Sequence, residues 1–247
     1  GAGLFELLRS TLVDNSIKME NIVGESFDGA ANMRGEYNGV QTHLKEVAPN
    51  SVYIWCYAHV LNLAATDLSE NIVQVKKLVG LLQTTVNFFS ESSKRTNVWT
   101  ELSAETRVGS SKLSKLQKIG KTRWWSKQAA LERIFGTYEK PNPEAFSLLI
   151  EVLSRIENLP NFDSKATFEA NVLLAKWCSF DVNLTAFLLL RVYSILRVAS
   201  DYLQTRGLDY LSAWNMVQSA KEALKKIQFD EVHEKTSCFI AKINDKV

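Results

Sequence analysis

Apolar residues recur along this chain in two rhythms, and most of its length keeps the helical one. Residues 4–14 (LFELLRSTLVD) place apolar side chains at 4, 5, 8 and 12, one face of a helix that Asn15-Ser16 closes. From Glu20 to Ser26 the pattern shortens to a strand around Ile22-Val23, which exits through an acid, Asp28, and a Gly-Ala-Ala-Asn turn. Gly35 to Val47 predicts a helix, stopped by Pro49-Asn50. Val52-Tyr53-Ile54-Trp55-Cys56 is β-branched and aromatic throughout, as a strand buried on both faces would be. Beyond His59 a long helix is expected. Leu68, Ile72, Val75, Val79, Leu82, Val86 and Phe89 step by four and three along it, as in a core helix of a large domain or a coiled-coil seam.

The remainder predicts helices over 126–138, 145–158, 165–177, 181–205 and 209–227, with Pro141, Pro143 and Pro160 at the joints. Leu184, Leu188, Ile195, Ala199 and Tyr202 share one face; Tyr210, Ala213, Val217, Leu224 and Ile227 share another. Successive helices with short joints make an antiparallel bundle. The architecture is therefore an α/β piece with parallel strands over residues 1–90, followed by an all-helical domain over 91–247.

Composition narrows the partners. With 247 residues and 46% hydrophobic content the chain can fill a large core, while a net charge of only +2 requires any nucleic-acid affinity to come from local clustering. The clustering is there. Arg107, Lys112, Lys115, Lys118, Lys121, Arg123 and Lys127 are seven cations with no acid among them, and Trp124-Trp125 lies at their end. Such a segment is either a solvated loop pinned by core tryptophans or a surface for unpaired DNA, whose phosphates take Lys and Arg and whose bases take a π face. Three scattered cysteines, Cys56, Cys178 and Cys238, argue for a reducing compartment and against a disulfide scaffold. The most apolar run, Leu184 to Val198, is interrupted by Arg191 and Arg197 and reads as a buried helix, so no membrane association is expected. The chain starts Gly-Ala-Gly without a Met, as a piece of a longer protein would.

Four stretches in order carry a family likeness: Gly24-Glu25-Ser26-Phe27-Asp28-Gly29-Ala30-Ala31-Asn32-Met33, then Gly35-x3-Gly39-Val40, then Cys56-Tyr57-Ala58-His59 leading into Leu61-Asn62-Leu63-Ala64, and finally Lys121-Thr122-Arg123-Trp124. With them the chain resembles the hAT transposase family, and within it most the domesticated zinc finger MYM-type proteins. The likeness is clear over about residues 4–130. It implies a partial RNase H-like catalytic core at 1–90, interrupted by a large helical insertion domain at 91–247 that opens with the basic loop 107–127.

The resemblance also implies a chemistry. Asp28 matches the second acid of the family's Asp-Asp-Glu triad, which holds Mg²⁺ or Mn²⁺ for DNA strand cleavage and transfer. Read from its residues alone, an Asp before Gly-Ala is more often a turn former or helix cap. The family's first Asp precedes this region and its Glu follows the insertion. Glu222, Glu231 and Glu234 follow no family motif and receive no role. One ligand of three holds no metal tightly, so this chain alone is expected to be inactive. Cys56 and His59 form half of a four-ligand zinc site with no second pair, and His43, His233, Cys178 and Cys238 are scattered. His59 is expected near a phosphate beside Asp28. Trp124, with Arg123, matches the family tryptophan that stacks on an extruded base, the alternative being a core tryptophan; Lys118, Lys121 and Lys127 would hold the backbone. The implied partner is DNA, as transposon ends or hairpin and flipped forms, in the nucleus, with self-association through segments outside this chain. Two further readings compete: a domesticated, non-catalytic DNA- or protein-binding regulatory module, and a plain helical interaction scaffold.

Overall fold

A computed structural model describes residues 1–105, 124–205, 207 and 209–244. Among them are twelve α-helices and a small parallel sheet of two strands, so the protein is mostly helical. Its contacts divide it into two compact units, Gly1–Leu63 and Ala64–Val247.

The first unit holds α1 (Ala2–Asp14), a 3₁₀ turn at Met19–Asn21, β1 (Gly24–Phe27), α2 (Ala31–Arg34), α3 (Val40–Val47), β2 (Val52–Trp55) and the start of α4 (Tyr57–Asn71). The two strands run parallel in register, Gly24 opposite Val52 through Phe27 opposite Trp55. The Gly35-x3-Gly39 spacing has a steric cause. The Gly39 N–H donates to the Gly35 carbonyl at 2.8 Å, and a Cβ on Gly39 would stand 2.5 Å from the Gly35 nitrogen. The Thr42 hydroxyl donates to the same carbonyl at 2.9 Å. Residues 35–39 are thus a tight turn, and the helix expected from Gly35 starts at Val40. Val40, Leu44 and Ala48 are this unit's buried apolar residues.

β2 departs from its expected burial. Val52 is 60% exposed, and Ile54 and Trp55 are also open. A sheet of two strands leaves each strand only one neighbour, so β-branched composition alone does not bury it.

The second unit carries the rest of α4, then α5 (Val73–Ser90), α6 (Ser93–Glu105), α7 (Trp124–Phe135), α8 (Pro143–Asn158), α9 (Ser164–Trp177), α10 (Phe180–Leu203), α11 (Tyr210–Lys225) and α12 (Phe229–Asn244). The single long helix expected after His59 is two helices broken at Ile72, whose extended backbone (φ −91°, ψ 111°) caps α5. The apolar stripe of α5 is wider than a coiled-coil seam, because Leu78, Leu81, Thr85 and Phe88 are buried beside Val75, Leu82, Val86 and Phe89. It is a core helix, packed against α6, α9, α10 and α7.

Local chemistry sets the joints. Gly136 ends α7 at φ 76°, a conformation only glycine adopts without strain. Asn142 then accepts the Ala145 N–H ahead of Pro143 and starts α8. Asp163 accepts from Ala166 at 2.8 Å to cap α9. Asp209 accepts from Ser212 to cap α11, and those hydrogen bonds hold its carboxyl below the usual range. The core closes on Phe135, whose ring lies within 5.2–6.0 Å of Phe146, Trp177, Phe187 and Phe239. Trp177 donates its indole N–H to the buried Thr85 hydroxyl at 3.0 Å. α10 is long and apolar enough to cross a membrane by length and composition, but here its Ala186, Phe187, Leu190, Tyr193 and Leu196 are packed inside the helical unit.

Candidate functional site

Asp28 and His59 stand just past the same end of the sheet. β1 stops at Phe27 and β2 at Trp55, and the Cys56 N–H donates to the Phe27 carbonyl at 3.0 Å, extending the ladder one step beyond both strands. Asp28 follows on one side, while Cys56 leads into the first turn of α4, where His59 sits half-buried. Asp28 is exposed, and its Oδ1 accepts the Ala30 N–H at 3.2 Å. That bond is the turn-forming role that the residues alone suggested, as the alternative to a metal ligand, and it holds the carboxylate at the strand tip.

Two residues not singled out from the sequence join this end of the sheet. Arg34, exposed on α2, lies with its guanidinium 5.2 Å from the centre of the Trp55 ring. Glu25 lies opposite Tyr53 on the face that also carries Phe27. Burial pushes its carboxyl above the ordinary value, and both Glu25 Oε2 and the Tyr53 hydroxyl are buried without a hydrogen-bond partner. The period-two alternation Glu25, Phe27 was the signal that could have found Glu25.

No group of three or more His, Cys, Asp or Glu side chains able to hold a metal occurs among the described residues. Asp28 supplies one carboxylate, which does not make a two-metal centre. The other histidines are engaged elsewhere: His43 pairs with Asn38 Oδ1 at 2.9 Å and packs on Phe5, and His233 lies between Phe180 and Phe229.

In the helical unit the tryptophan pair divides its work. Trp124 is 1% exposed, with its ring 5.2 Å from that of Tyr193. Trp125 is 39% exposed. The residue matched to a base-stacking role is therefore a core residue here, and its neighbour is the more exposed of the two. Lys127 is buried as well. Its ammonium is pushed below the ordinary value by desolvation, partly offset by the Glu70 carboxylate, so it is no part of an exposed cationic face. Lys118, Lys121 and Arg123 lie outside the described residues.

No protein-family model matches this chain, and no solved structure matches it.

Proposed function

We propose that this chain is the DNA-handling part of a hAT transposase-like protein, with a partial RNase H-like core and a helical insertion, working on DNA in the nucleus. The observation that supports it best is the parallel strand pair whose two tips carry Asp28 and the Cys56-x-x-His59 turn. Rigid strand ends hold such groups in fixed geometry. Arg34 and His59 supply cationic or hydrogen-bonding groups for a phosphate at that end. Asp28 would contribute one oxygen ligand to Mg²⁺ or Mn²⁺. The described residues do not complete a metal centre, so strand cleavage and transfer require further carboxylates, and the chain by itself binds DNA without cutting it.

The second reading, a domesticated binding module, is favoured by the net charge of only +2, which gives the chain no strong overall field for DNA. One pair of measurements separates the two. In the full-length protein, Mn²⁺ binding that is lost on Asp28→Asn supports the metal-dependent reading. Hairpin DNA binding that is indifferent to both Mn²⁺ and Asp28→Asn supports the binding module. No preference for DNA over another polyanion such as heparin overturns both.

A further inference from the structure

Where α5, α9 and α10 meet, a groove of about 800 Å³ opens in the helical unit. That is within the range of about 300–1,000 Å³ typical of small-ligand sites. Its floor is apolar, set by the buried Leu78 and Leu81 of α5 and Leu173 of α9. Val172, 37% exposed, belongs to its wall, and Phe168, one turn earlier on the same face of α9, is 69% exposed. The apolar surface therefore runs on past the cavity. The polar edge is cationic. Lys77 of α5 and Lys176 of α9 are exposed and line the groove, and neither has an ion-pair partner among the described residues. Asp181 of α10 is the acid in the lining, and it pairs with neither lysine. The Thr84 and Thr185 hydroxyls donate to the Gly80 and Asp181 carbonyls, at 2.9 and 2.7 Å, so the two ammonium groups are the charged donors left open.

An apolar trough edged by two unpaired cations on different helices matches one class of molecule, a hydrocarbon chain with an anionic head. The chain leaves water against the leucines. The head meets ammonium groups that have no ion pair to give up, and the lysine stems extend the apolar wall up to it. A neutral amphiphile gains only the first of these contributions, and a cationic one is repelled by both lysines. We infer that this groove binds a single-chain amphiphile ended by a carboxylate or a phosphate. The inference goes beyond the transposase-like reading and stands on residues of the helical unit alone.

The test varies head and chain separately. The 247-residue chain is titrated calorimetrically, below the micelle threshold, with decanoate, decyl phosphate, decanol and decyltrimethylammonium. Decanoate is expected to bind about tenfold tighter than decanol, because each exposed ion pair contributes up to about fivefold. It should also bind about tenfold tighter than octanoate, as two further methylenes leave water. Lys77→Ala and Lys176→Ala, both at exposed positions, should each weaken decanoate about threefold to fivefold. Decanol binding and the circular dichroism melt should not change in either variant. Replacing both lysines by Glu should turn the preference towards decyltrimethylammonium. Decyl phosphate binding tighter than decanoate supports a phosphate head, and the reverse supports a carboxylate head. Equal binding of decanoate, decanol and decyltrimethylammonium overturns the inference, as does a decanoate preference that survives both lysine variants. Failure of every amphiphile to bind, with an acidic amphipathic peptide bound in their place, gives the groove to a protein partner and overturns it too.

Discussion

The helical unit and the sheet-bearing unit are built to different depths. Ala64–Val247 encloses aromatic side chains from four other helices around Phe135, and the buried Trp177 pairs with the Thr85 hydroxyl. Gly1–Leu63 buries Val40, Leu44 and Ala48 and little else, while α1 buries nothing fully and both strands lie partly open. Yet the thinly packed unit holds the acid, the imidazole and the exposed Arg34 that suggest chemistry. The difference teaches that stability and reactive groups are separated here, so each can be perturbed with little effect on the other.

The largest expected effect is in the helical core. Phe135→Ala should cost about 3–5 kcal/mol, the usual loss for emptying a large aromatic site, seen as a lower urea midpoint for the helical signal. A smaller loss would mean the ring cluster is loosely packed. Trp124→Ala should destabilise by a similar amount, whereas Trp125→Ala should cost less than about 1 kcal/mol because its ring is partly solvated. Equal melts for the two variants would break the division between buried and presented tryptophan.

Leu44→Ala should cost about 2–5 kcal/mol, but locally: hydrogen exchange should quicken through residues 1–63 and stay slow in α8 and α10. Uniform acceleration would show that the two units unfold together. Asp163→Ala, which removes the cap of α9, should cost about 1 kcal/mol in thermal melts.

The smallest effect concerns pH. Burial holds the Glu25 carboxyl above its ordinary value of 4.5, so the folded state binds this proton more tightly than the unfolded chain does. The protein therefore loses stability as pH rises from about 4.5 towards that raised value, and the loss persists above it. Glu25→Gln should flatten this slope in the exchange of the strand amides between pH 4 and 7. An unchanged slope would exclude Glu25 as its source.

Much of this fold was legible along the chain. Proline and glycine punctuation and helical periodicity marked the helices from α7 to α11, because each is long enough for its own pattern to repeat several times. The strand at Val52–Trp55 was recognisable from its β-branched and aromatic residues, whereas the strand expected over Glu20–Ser26 around Ile22-Val23 lies at Gly24–Phe27, because Met19–Asn21 forms a 3₁₀ turn first. Burial was harder to read. The composition of β2 suggested two covered faces, and only the number of neighbouring strands shows that they are open. The seam through Ile72 was continuous in sequence, yet the chain breaks there, because periodicity records which side chains could share a face and not whether the backbone stays helical.

The order of elements, the capping residues and the placement of an acid and a Cys-x-x-His at two strand tips were set by local sequence, since turns, caps and strand propensity act over a few residues. Which of two adjacent tryptophans is buried, that Lys127 lies inside, and that Lys77 and Lys176 edge one groove were decided only when distant helices packed. Those contacts join residues more than fifty positions apart, and no local pattern encodes them.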